Sequence, residues 1–110
     1  MDTRSKILQS DDLPRESVTI DVWGVTVWVK TLTAAERMAL SDHAGGQPPV
    51  EFVAHIVIGC TVDEDGSPVF DIGDASILVN KAGAPLQRLF NVADKLNGFT
   101  KAAQNAIEKN

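Results

Sequence analysis

The chain has 110 residues, 44% of them hydrophobic, with a single cysteine and a formal charge of −5. That length encloses one modest core and leaves little room for a second independent domain. The acidic balance, with a pI near 4.8, argues against nucleic acid as a partner, because affinity for a polyphosphate rests on Lys and Arg displacing condensed counterions.

Cys60 stands alone, which excludes an intramolecular disulfide and makes a reducing cytoplasm the expected compartment. No stretch approaches the ~18 consecutive apolar residues of a spanning helix, and Met1 to Lys6 lead into no signal-type apolar run. No membrane association is expected.

In chain order, residues 1–16 mix charge and polarity around Ile7, Leu8 and Leu13, with Pro14 blocking helix continuation, and read as a flexible N-terminal arm. Residues 17–98 read as a single α+β domain. From Ser17 to Lys30 apolar and polar residues alternate through Val18, Ile20, Val22, Val25, Val27 and Val29, the period of half-buried strands. Gly24 as the first central residue of a type II′ turn would pair Trp23 with Thr26, Val22 with Val27, Asp21 with Trp28 and Ile20 with Val29. That register gathers Trp23 and Trp28 on the face opposite the aliphatic residues, where they are either covered by another element or open to a partner.

Thr33-Ala34-Ala35-Glu36 is a capping box, so a helix is predicted from Ala34, carrying Ala35, Met38 and Ala39 inward and stopping before Gly45-Gly46-Gln47-Pro48-Pro49. Val50 to Val62 is rich in β-branched residues, as strands are. Its length and the polar spacing of Glu51 and His55 favour a buried helix, the reading adopted here. Asp63-Glu64-Asp65-Gly66-Ser67-Pro68 is turn chemistry, Val69-Phe70 a short extended piece, and Asp74 the start of a short helix through about Asn80 that Gly83 ends. The strongest helix begins near Pro85, with Leu86, Leu89, Phe90, Ala93 and Leu96 on one face and Gly98 as its stop signal. Residues 99–110 carry few large apolar anchors and read as a frayed C-terminal tail. The fold class predicted is α+β: a predominantly α-helical small domain with an N-terminal antiparallel β-hairpin.

No constellation for chemistry emerges. An EF-hand loop counted from Asp63 would need glycine at its sixth position and glutamate at its twelfth, where Pro68 and Asp74 stand. His55, Cys60 and His43 do not complete a zinc set, and Cys60 has no neighbour that would lower its pKa. With no tyrosine and two histidines, no nucleophile elbow and no phosphate-binding glycine loop, the chain reads as no enzyme, with no catalytic residue, no metal and no cofactor. Binding another protein is the expected activity, with Trp23, Trp28, Ile7, Leu8 and Leu13 as candidate partner-binding residues.

Two stretches, Val22 to Arg37 (VWGVTVWVKTLTAAER) and Cys60 to Phe70 (CTVDEDGSPVF), resemble the tail assembly chaperones of long-tailed bacteriophages and prophages. The resemblance lies in the order of parts from about Val18 to Leu96: a β segment, a Leu-Thr then Glu-Arg helix start, an apolar helix, an acidic-glycine turn ending in phenylalanine, and a helical C-terminal half. It implies a non-catalytic protein that binds the tape measure protein in the host cytoplasm and keeps it soluble while tail tube subunits assemble. It further implies self-association, contact with the tail tube protein, a longer frameshifted form, and absence from the mature virion. Two other readings stand beside it: a structural head–tail or tail tube component, and a small regulatory protein-binding module.

Overall fold

The alternation of apolar residues produces an antiparallel pair, β1 (Arg15–Ile20) and β2 (Val25–Lys30), in a computed structural model that describes residues 2–46 and 49–100. Val18, Ile20, Val27 and Val29 are buried on one side, while Thr19 and Thr26 join hydroxyls at 2.9 Å on the other. The register is not that of the expected II′ hairpin. Val27 pairs with Val18 and Ile20 with Val25; the loop is Asp21–Gly24, a 3₁₀ turn (Asp21–Trp23) closed by the Gly24 amide on the Asp21 carbonyl at 3.0 Å, with Gly24 at φ 65°. A slip by an even number of residues leaves every side chain on its original face, so the hydrophobic pattern cannot choose between the two registers, and turn geometry decides. As a result Trp23 leaves the ladder for the turn while Trp28 stays in it opposite Ser17. The expected two-tryptophan face does not form.

Beyond β2, helix α2 (Ala34–Ala44) opens on the complete capping box: the Thr33 hydroxyl accepts from the Glu36 amide at 3.1 Å, and Glu36 accepts from the Thr33 amide at 3.0 Å. Its inward face is not the expected one. Ala35, Met38 and Ala39 are exposed, Met38 by 69%, whereas Leu40 is half-buried and Ala44 buried. Alanine and methionine carry too little directional signal to orient a short helix, and the packing of Leu40 on the following helix fixes the rotation.

Glu36 also meets Lys30 in an ion pair. The Lys30 hydrogen bond, followed by the one from the Thr33 amide, holds the Glu36 carboxyl below its ordinary value of 4.5. A depressed carboxylate adds stability that is present above the unfolded-state value and lost as pH falls through the folded one. Thr33→Ala is therefore expected to cost ~1 kcal/mol. Glu36→Gln keeps the reach-back contact and loses only a surface charge, worth ~0.5 kcal/mol; urea melts should show that smaller deficit at neutral pH and its disappearance below the carboxylate range.

The ambiguous run resolves into both structures it hinted at. Pro49–Cys60 is helix α3 and Thr61–Val62 is strand β3, pairing antiparallel with Val29 and Trp28 to complete a three-stranded sheet ordered β1-β2-β3. Gly59 sits where α3 meets α2: a Cβ there would stand 3.1 Å from both Leu40 methyls. Thr61 is 1% exposed and its hydroxyl has no partner, so Thr61→Val, which keeps the shape and removes a buried unpaired group, is expected to raise stability by ~1 kcal/mol in thermal or urea unfolding.

The acidic turn uses its own carboxylate as scaffold: Asp63 accepts from the Asp65 and Ser67 amides at 2.9 and 3.0 Å. Asp71 caps a 3₁₀ turn (Ile72–Asp74) that runs into α4 (Ala75–Leu78), so the helical segment starts before Asp74. Gly83 opens the next helix rather than closing this one. Amides in a first turn need no intrahelical partner, so glycine and Pro85 both fit at the start of α5 (Gly83–Asn97). Gly98 terminates α5 at φ 70°, and Leu86, Leu89, Phe90 and Ala93 are buried.

Side chains far apart in sequence lock the end of α5. Asn97 accepts from the Leu32 amide at 2.8 Å and donates to the Lys30 and Ala93 carbonyls at 3.1 and 3.0 Å. Arg37 reaches from α2 to the Asn97 and Gly98 carbonyls and lies 4.9 Å over the Phe99 ring. Asp94 accepts from the Phe99 and Thr100 amides, each at 2.8 Å. Residues 99 and 100, assigned to the tail by sequence, are thus tied to the domain; residues 101–110 lie outside the described part.

Candidate interaction surface

The most exposed apolar surface of the folded part sits at the hairpin tip, where Val22 is 72% exposed and Val25 44%. The four-residue loop forces this: Ile20 and Val25 flank it as the last pair of the ladder, so Val22 at its apex has no strand opposite. Trp23 turns back and is half-buried, sharing a cleft of about 210 Å³ with Phe70, Leu78 and Lys81. A second cleft of about 260 Å³ lies between Val22 and the first turns of α5, against Pro85 and Arg88. Arg88 is held by the Thr19 carbonyl at 2.5 Å, leaving the aliphatic tip as the more adaptable part.

The candidate residues from sequence are distributed over three places. Trp23 belongs to the tip. Trp28 lies on the outer sheet face with the Arg15 guanidinium 4.3 Å over its ring, and Arg15 in turn donates to the Glu64 carbonyl at 3.0 Å. Such a stacked cation covers the ring and ties the strand to the acidic turn. Ile7 and Leu8, both 65% exposed, lie on a short arm helix, α1 (Thr3–Leu8), that buries none of its residues; Leu13 is 46% exposed. Sequence reasoning missed Phe70 and Leu78 as neighbours of Trp23, and only the tertiary fold could have placed them there.

Cys60 is buried, and loss of solvent pushes its thiol from 9.0 up to about 12, the opposite of an activated nucleophile. Among the described residues no three His, Cys, Asp or Glu side chains cluster as metal ligands. No helix among them is long and apolar enough to cross a membrane.

The molecule is a small α+β domain with exposed aliphatic side chains at its hairpin tip. No family model and no curated protein matches the sequence. Among solved structures, the chain is similar to the tail assembly chaperone of bacteriophage HK97, with a TM-score of 0.59 and 16% sequence identity over 86% of this chain and 96% of that one. The likeness spans nearly the whole of both molecules and is a likeness of fold.

Proposed function

We propose that this chain is a phage tail assembly chaperone that binds the tape measure protein and keeps it soluble until tail tube subunits enclose it. The observation that carries this reading is the shared fold, extending over 86% of this chain and 96% of the HK97 chaperone and joined to the order of motifs along the sequence. The apolar tip supplies the physical means. A long helical partner exposes aliphatic stripes before it is enclosed, and Val22, Trp23 and Val25 offer aliphatic and aromatic surface with clefts on both sides, as in helix-in-groove recognition. Such binding needs no catalysis. It would take place in the host cytoplasm, with the chaperone leaving before the virion is complete; contact with the tail tube protein and self-association belong to the same proposal.

The test is co-expression with the large helical protein encoded beside this chain, followed by capture on a tag. A soluble complex of defined stoichiometry is expected, with the chaperone absent from purified virions. Val22→Ser combined with Val25→Ser alters only exposed positions at the tip; losing two aliphatic contacts to the partner, ~3 kcal/mol together, should weaken the complex on the order of 100-fold while the domain stays folded. An insoluble partner, or this chain found as a component of virions, would replace the chaperone with a structural tail protein.

A further inference from the structure

The cleft beside Trp23 has one feature that apolar contact alone does not use. Three of its walls are Trp23, Phe70 and Leu78, and the fourth lining residue is Lys81. A cavity of ~150 Å³ accepts a benzene-sized group, so the volume here, about 210 Å³, holds one leucine, methionine or phenylalanine side chain. A polar side chain seated against those three walls would lose water and gain no partner.

Lys81 is exposed, and its place beside the cleft is set by its own amide, which donates to the Leu78 carbonyl at 3.0 Å. Its ammonium makes no ion pair or hydrogen bond among the described residues, whose ion pairs are Lys30–Glu36 and Lys95–Glu16. The carboxylates that follow Phe70 in sequence are engaged in the 3₁₀ turn: Asp71 accepts from the Gly73 amide at 2.9 Å, and Asp74 accepts from the Asp71 amide at 3.0 Å. Neither lines the cleft. On the far side of Val22 the balance differs. Arg88 donates to the Thr19 carbonyl, and Asp21 lines that second cleft with it. One cleft thus presents an unpaired cation, and the other a cation already held and set beside a carboxylate.

We infer that the segment bound at the tip is an amphipathic helix that seats an aliphatic or aromatic side chain in the Trp23 cleft and sets a carboxylate on Lys81 one helical turn away. This rests on the chaperone reading and names the recognition element in the partner. Residues three or four apart on a helix lie ~5–6 Å from one another, so an anchor and a carboxylate at that spacing reach the floor and the rim together. An exposed ion pair adds little affinity. Its effect is on direction and register: with Lys81 at one end of the tip and Asp21 at the other, only one way of laying the helix across Val22 pairs the carboxylate.

The test uses the complex of the full chain with the large helical protein encoded beside it. A carbodiimide condenses amines with carboxylates in contact, and mass spectrometry reads the products; Lys30–Glu36 and Lys95–Glu16 supply intramolecular standards. The expected product joins Lys81 to an aspartate or glutamate of the partner with a large apolar residue three or four positions away. Lys81→Glu, at an exposed position, should raise the dissociation constant on the order of 10-fold, and changing the cross-linked carboxylate to lysine should restore it. With Trp28→Phe, Trp23 is the chain's one tryptophan; labelled as fluorotryptophan, its fluorine resonance should shift when the partner binds. A complex that forms without the Lys81 product, and that Lys81→Glu does not weaken, overturns the inference and leaves the chaperone reading standing. Failure to form any complex removes both.

Discussion

Asn97→Ala is expected to lower the unfolding free energy by about 2–3 kcal/mol, a large effect for a half-buried polar residue. Its amide oxygen is the acceptor for the Leu32 N–H, and its nitrogen serves the Lys30 and Ala93 carbonyls. Leu32 is buried, so truncation strands a backbone donor away from water, and a buried unsatisfied group costs about 1–3 kcal/mol. For a domain of this size that corresponds to a drop in melting temperature of roughly 10–20 °C. Asn97→Asp is the sharper variant: it retains an acceptor for Leu32 but sets a carboxylate against two carbonyl oxygens, and should be no better than alanine. A loss below ~0.5 kcal/mol in urea unfolding, the level of an ordinary surface change, would show that the bridge between the end of β2 and the end of α5 is incidental.

Leu89→Ala should cost about 3 kcal/mol or more. Leu89 is 1% exposed on the face of α5, which packs against α3 and the sheet, and truncating a leucine there removes its transfer energy and leaves a cavity. Met38→Ala is the matched control on α2, expected within ±0.5 kcal/mol because Met38 points to solvent. Equal losses at the two positions would mean that α2 is rotated from the orientation described here.

These two residues mark where the sequence is readable. Leu89 belongs to a periodic stripe on a long helix bounded by Pro85 and Gly98, and periodicity over four turns identifies both the helix and its buried face. The capping box at Thr33 and the aliphatic faces of β1 and β2 are legible for the same reason: each is a local pattern with a single geometric solution. Asn97 is not legible, because the Leu32 and Lys30 groups it bridges lie more than sixty residues away and asparagine at a helix end has many ordinary uses. The inward face of α2 failed for lack of contrast among Ala35, Met38 and Ala39. The break between α3 and β3 fell inside one apolar run where composition is the same on both sides.

The candidate surfaces were partly legible. Ile7 and Leu8 as apolar residues on the arm follow from the chain alone, whereas Trp23, half-buried against the core, could be read from sequence as core or as surface. The clefts beside Trp23 depend on tertiary neighbours.

The even-numbered ambiguity of the hairpin ties the two ends of the sheet mechanically. Since β1 and β2 bury the same side chains in either register, Asp21–Gly24 alone sets how far one strand slides along the other. The two registers differ by four residues, a slide that displaces β1 by about 13 Å and carries with it the Arg15–Lys30 pair and the Pro14–Thr31 contact from which the arm departs. Substitutions at the tip, above all at Gly24, would therefore be felt at the base of the arm, so the hairpin loop and the arm's point of departure are under one shared geometric constraint.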